Sequence, residues 1–284
     1  QLPIILALPS FCILTMGVRK LIKLDERVLY VTIEGGTNYA KYNYPDIEIH
    51  IDVPFDDDPT PDEATITIFN LSQNSVNRIK KGHKMTVTAG TKKESGVITE
   101  GRISKVHTRI SGANKETVIS LVDYSFGSKT AEITFSDGTR ASTILRRLAS
   151  IAGINIAYME LPTDKKYEKG YKVSGAIEGA FINIIDDCRA AVFYRKGKLY
   201  IRNLKKGDDE RFNLSADTGL IGSPDYVETE DYKGYNIQCV LQYRIATASI
   251  IKLTSRFVSG SYRVKSGRHT FDGSSFRTEA LIII

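Results

Sequence analysis

The sequence predicts a mainly β protein in which two strand-rich segments flank a small α+β unit. Three observations lead there. Apolar and polar residues alternate along 27–123, and strand patterns return after 218. Glycine-bearing turns punctuate both stretches at short intervals. Between about 126 and 205 the apolar spacing shifts to that of a helix.

Taken in order, Val28, Tyr30 and Thr32 alternate first. Ile47, Ile49, Ile51 and Val53 then alternate with Asp46, Glu48, His50 and Asp52, the mark of a half-buried strand. The stretch Asp56-Asp57-Asp58-Pro59-Thr60-Pro61-Asp62-Glu63 reads as a solvated loop, because its prolines break any strand. It lacks the ligand spacing and central glycine of an EF-hand. Strand pattern resumes over 65–71, and Ser72 is placed to cap a short helix carrying Val76 and Ile79, ended by Lys80-Lys81-Gly82. Further strands are expected over 85–89, 97–99, 102–110 and 117–122. Turns are expected between them at Ala89-Gly90-Thr91, at Gly101 and at Ser111-Gly112-Ala113-Asn114. Several short strands with one small helix imply a closed or nearly closed barrel of about a hundred residues.

Asp137-Gly138-Thr139 then turns into a helix whose stripe is Ile144, Leu145, Leu148, Ile151 and Ala152, closed by Gly153. A strand over 154–158, a lysine-rich loop over 162–171 and a second helix over 180–190 follow. Phe181, Ile184, Ile185 and Cys188 form that helix's inward face. Residues 191–203 read as a hairpin turning at Lys196-Gly197. The last part holds strands over 236–243, 249–254, 261–264 and 277–284, with turns at Gly222-Ser223-Pro224, Gly260 and Gly273, and forms a second barrel or half of one. The run Ala280-Leu281-Ile282-Ile283-Ile284 is an aggregation hazard as a bare edge, so it is expected to be paired within that barrel or against a neighbouring subunit. The domains are therefore 1–19, an apolar extension; 20–125, a first barrel; 126–205, an α+β unit; and 206–284, a second barrel.

At 284 residues the chain can bury its cores without staples. Cys12, Cys188 and Cys239 are far apart and read as small buried apolar residues. His50, His83, His107 and His269 show no metal-ligand spacing. The net charge of +6 is mild for a nucleic-acid binder. The basic run Arg189, Arg195, Lys196, Lys198, Arg202, Lys205 and Lys206, followed by Asp208, Asp209 and Glu210, reads as a solvated hairpin and linker. Residues 2–16 are apolar but broken by Pro3 and Pro9, too short to span a bilayer, with Arg19, Lys20 and Lys23 after them rather than before. They are expected to be either an extension upstream of a start at Met16 or a segment buried against a neighbouring subunit, and no membrane anchor.

No GxSxG, HExxH or P-loop is present, and neither Glu34-Gly35-Gly36 nor Gly175 has the strand-to-helix context of a phosphate cradle. Asp186-Asp187 and Glu228, Glu230 and Asp231 are the carboxylates that a glycosidase would need in pairs, and they read as solvated surface. No catalytic, cofactor-binding or metal-binding residue is assigned, and no cofactor.

Three stretches carry a family resemblance: Ala64 to Ser72 with Ile79, Gly82 and Val87 to Gly90; Phe135 to Thr139 with Ile144 to Ala149 and Gly153; and Thr218 to Pro224 with Gly260 to Val264, His269 and Thr278. In their order they resemble the baseplate hub, or tail-tip, proteins of phages and tailocins related to late control protein D and the myophage-type hubs. The resemblance implies two tail-tube-like β-barrels flanking the middle unit and a non-enzymatic virion structural protein. It implies a homotrimer presenting six barrels to a hexameric tail tube or distal tail protein above and to a tip, spike or fibre protein below. DNA would pass through the lumen without specific binding. The protein would be a late product made in the bacterial host cytoplasm and located at the tail tip. The chain is short for that family and has no lysozyme or peptidase module. A receptor- or carbohydrate-binding tail protein and a cell-wall hydrolase are the alternatives, the first weakened by the absence of Trp.

Overall fold

A computed structural model describes residues 27–122, 126, 128–204, 207 and 211–284. The extension expected over 1–19 lies outside these residues, as do Cys12, Lys205, Lys206, Asp208, Asp209 and Glu210.

The first part contains β1 (Arg27–Gly35), β2 (Asn38–Tyr44), β3 (Ile49–Phe55), β4 (Glu63–Phe69), α1 (Gln73–Arg78), β5 (Lys84–Thr91), β6 (Ser95–Ser111) and β7 (Asn114–Val122). Alternation in β3 works as the sequence predicts, with Ile49, Ile51 and Val53 buried. Ser72 caps α1: its Oγ accepts the Ser75 N–H at 3.1 Å. The helix stops sooner than expected, at Arg78, because Ile79 turns extended to bury its side chain. Gly101 makes no turn. It pairs with Met85 inside the single 17-residue strand β6, where a bulge between Ile103 and Lys105 absorbs the change of direction.

The middle part contains β8 (Thr130–Phe135), β9 (Thr139–Arg140), α2 (Ala141–Ala152), β10 (Ile156–Met159), β11 (Lys166–Tyr167), β12 (Tyr171–Ala176), α3 (Ile177–Asp187), β13 (Ala191–Arg195) and β14 (Lys198–Arg202). Ile144, Leu145, Leu148 and Ala152 of α2 face inward, and Gly153 closes the helix in the left-handed region at φ 74°. Helix α3 starts three residues earlier than its apolar stripe suggested, and the lysine-rich loop holds β11, paired with β9. Lys196 and Gly197 both have positive φ, the geometry that a two-residue hairpin turn requires.

The last part contains β15 (Arg211–Leu214), β16 (Leu220–Glu228), β17 (Lys233–Val240), β18 (Ile250–Thr254), β19 (Ser259–Phe271) and β20 (Phe276–Ile283). Strand β15 was not anticipated, and two expected turns are not turns. Gly222-Ser223-Pro224 is an irregularity within β16, and Gly260 lies inside β19. The apolar end of the chain is paired on both sides, since β20 lies between β17 and β19, with Ala280 and Ile282 buried.

The outer parts follow one strand order twice. In the first it is β3-β4-β7-β6-β5-β1, extended by β2; in the last it is β16-β17-β20-β19-β18-β15. The repeat extends to register. Pairing skips after Ile103 in β6 and after Val264 in β19. Beyond each skip the same row crosses four strands: Lys105, Ser120, Thr65 and Asp52 in one, Ser266, Leu281, Asn236 and Asp225 in the other. Burial agrees, with Ile66, Met85, Ile119 and Leu121 matching Ile237, Ile251, Ala280 and Ile282.

Both runs belong to one 13-stranded sheet, joined where β19 pairs with β3. Among the described residues no pair closes either run into a barrel, so of the expected forms, a closed or nearly closed first barrel and a second barrel or half of one, the closed ones are not observed. Strand β19 explains the fusion: it is long enough to pair with β18 through residues 259–263 and with β3 through residues 267–271. Three hydrophobic cores result, and two of them exchange residues at this joint. Leu241, Phe271 and Phe276 pack into the first core, and Phe55 packs into the last. Cys188 and Cys239 are buried free thiols, as the sequence predicts.

Candidate assembly edges

The β19–β3 joint sets Phe271 opposite Ile51, Thr270 opposite Asp52, His269 opposite Val53 and Gly267 opposite Phe55. Phe271 is only 1% exposed, with the Tyr44 ring edge-on at 4.9 Å and Phe276 at 5.6 Å. The Arg268 Nε lies 3.2 Å from the Asp52 carboxylate. In the acidic loop Asp58, Pro59, Thr60 and Glu63 are exposed, as expected of a solvated loop, but one residue turns inward. Asp57, with a side chain only 9% exposed, pairs with Arg263 at 2.9 Å and Lys265 at 2.7 Å. The Thr247 Oγ1 donates to the Asp56 carbonyl at 2.8 Å, and burial raises the Asp56 carboxyl pKa above its ordinary value. These partners lie some two hundred residues downstream, beyond the reach of local pattern.

In the basic hairpin Arg189 and Lys198 are exposed, as expected, but other residues of the run are not. Arg195 and Arg202 are buried, and the Lys196 ammonium sits 5.2 Å from the centre of the Tyr243 ring. Gly197 has no room for a side chain, because a Cβ there would lie 2.5 Å from the Glu100 carbonyl oxygen. Tyr243 in turn covers Gly96, and Arg244 reaches Glu94 at 3.2 Å. The hairpin tip thus meets both outer parts at once.

Of the open strand edges, which include those of β2 and β15, two correspond in the repeat to the edges that the β19–β3 joint uses. Among the described residues β16 has β17 on one side and no strand on the other. Beyond Ile103, β6 has only β7. Both are amply exposed: Ile110 of β6 is 82% accessible and Tyr226 of β16 is 55%. Positions equivalent to these in the repeat are Phe271 and Val53, which the β19–β3 joint buries to 1% and 2%. Strand β6 offers Lys105, His107 and Arg109, and β16 offers Asp225 and Glu228. Free edges with alternating side chains recruit other strands.

Two of the carboxylates singled out for glycosidase chemistry have other partners. Asp187 takes Lys165 at 2.7 Å and the Tyr167 hydroxyl at 2.8 Å, and Glu228 takes Lys233 and the Tyr226 hydroxyl. These bonds hold both pKa values below the ordinary range, opposite to the shift that a general acid needs. Among the described residues no three His, Cys, Asp or Glu side chains gather as a metal site, and no helix is long and apolar enough to cross a membrane.

His50 bonds Glu48 at 2.9 Å, and His269 is buried against Thr278, with Nδ1 2.8 Å from its Oγ1. Burial lowers the His269 pKa from 6.5 to about 3. The folded state therefore needs the neutral ring, while the unfolded chain takes up a proton below pH 6.5. Stability from this residue is complete above pH 6.5 and falls as pH drops toward 3, by at most ~1.4 kcal/mol per pH unit. Urea titrations of His269→Asn and the parent from pH 8 to pH 4 should show the parent's curve falling more steeply below pH 6.5; parallel curves would contradict this.

No protein-family model matches the sequence, and no curated protein matches it. Solved structures do match in fold. A tail protein from Neisseria meningitidis MC58 superimposes with a TM-score of 0.64 at 8% identity, covering 90% of this chain and 96% of that one. The 43 kDa tail protein of prophage MuSo2 from Shewanella oneidensis gives 0.65 at 7% identity, covering 89% and 98%. The E. coli c3393 protein, a type VI secretion component with structural similarity to the T4 bacteriophage tail proteins gp27 and gp5, gives 0.62 at 9% identity, covering 89% and 76%. The chain thus has the fold of phage tail proteins.

Proposed function

We propose that this chain is a structural hub protein at the tail tip of a phage or phage-tail-like particle, with no catalytic role. Its two outer parts act as tube-like units and the α+β part braces them, on the domain division expected from sequence. Three copies form a ring of six such units around a channel. The ring joins a sixfold tube, or a distal tail protein, above to a threefold tip, spike or fibre below. DNA passes through the channel without specific binding.

The observation that carries this reading is the doubled strand order. One chain offering two like units gives a threefold assembly a nearly sixfold face, which reconciles the two symmetries. The tail-protein fold and the open edges of β6 and β16 support it.

Copy number tests it. Symmetry-resolved imaging of intact particles, or quantitative mass spectrometry against the tube protein, should find three copies per ring. Six copies, or one, would overturn the trimer.

A further inference from the structure

We infer that the contact between neighbouring copies repeats the β19–β3 joint: residues 106–110 of β6 in one copy pair antiparallel with β16 of the next. This deepens the ring reading and rests on it. In the repeat, β6 stands where β19 stands and β16 where β3 stands. The joint within one chain therefore supplies the register of the joint between chains. Thr270 lies opposite Asp52 within the chain, and the equivalents are Arg109 and Asp225. His269 lies opposite Val53, and the equivalents are Thr108 and Tyr226. Phe271 has Ile110 as its equivalent.

Exposure favours a second copy as the occupant. Two residues that the intrachain joint buries have counterparts at the open edges that remain accessible, Phe271 against Ile110 and Val53 against Tyr226. Charge favours it too. Arg109 is held at 2.7 Å by Glu116 through its Nε alone, which leaves the outer guanidinium nitrogens for a second carboxylate. The intrachain joint has an ion pair of the same kind, between Arg268 and Asp52. Because the two surfaces differ, the contact is head-to-tail, and three copies close it into a ring when neighbours are related by a rotation of about 120°.

The test uses the full chain and reads self-association by sedimentation. Arg109→Asp and Asp225→Arg should each weaken association about tenfold or more, by setting like charges opposite each other, and the double variant should recover it. In a Cys12→Ser background, Thr108→Cys with Tyr226→Cys should give oxidised cross-links ending at three chains, and neither single cysteine should. If the parent forms the ring but the double charge variant is not rescued and the cysteine pair does not link, this register is wrong while the ring stands. If the parent forms no ring at any concentration and no link appears, the ring reading falls and this inference with it.

Discussion

Phe271→Ala should lower unfolding stability by about 3–5 kcal/mol, the cost of emptying a buried aromatic site. Phe271 belongs to the last part of the chain but packs into the first core, between Tyr44 and Phe276 and opposite Ile51. Its loss removes buried apolar contact and loosens the joint between the two sheet runs together. Ile110→Ala, at the equivalent but exposed position, should change the isolated protein by about 0.5 kcal/mol or less. Denaturant midpoints for the two variants check the contrast. A Phe271→Ala loss below about 1 kcal/mol would mean that the joint is not part of the cooperative core.

Asp57→Ala should cost about 3 kcal/mol, because it strands two cations in a partly buried place. Arg263 has a side chain 15% exposed and Lys265 one 31% exposed, and both point at the same carboxylate. The neighbouring Asp58 is exposed, so Asp58→Ala should stay within about 0.5 kcal/mol. The two variants remove the same charge one residue apart, which separates a specific contact from a general charge effect. Equal losses would contradict the buried pairing.

The alternation of β3, the cap at Ser72, the stripe of α2 and the turn at Lys196-Gly197 were all legible in the sequence, because each is set by neighbours within a few residues. The inward turn of Asp57 was not. Its partners are on β19, and local composition gives an acidic, proline-rich stretch every reason to look solvated. Gly101 and Gly260 misled for a related reason: glycine marks a turn only when no long strand already claims its backbone. The repeat was hidden most thoroughly. Asp52 matches Asp225 and Thr117 matches Thr278, but Phe271 matches Ile110 and His269 matches Thr108, since one set is permanently covered and the other meets water. The strands that form the open edges could be named only from the pairing.

The hairpin tip at Lys196-Gly197 has a mechanical consequence. A closed triangle of contacts runs from the tip to Glu100, from the tip to Tyr243, and through the β19–β3 ladder between the outer parts. A push on the middle unit is shared by both sheet runs at once, because the hairpin tip touches each of them. The chain therefore bends as a braced frame rather than as linked beads.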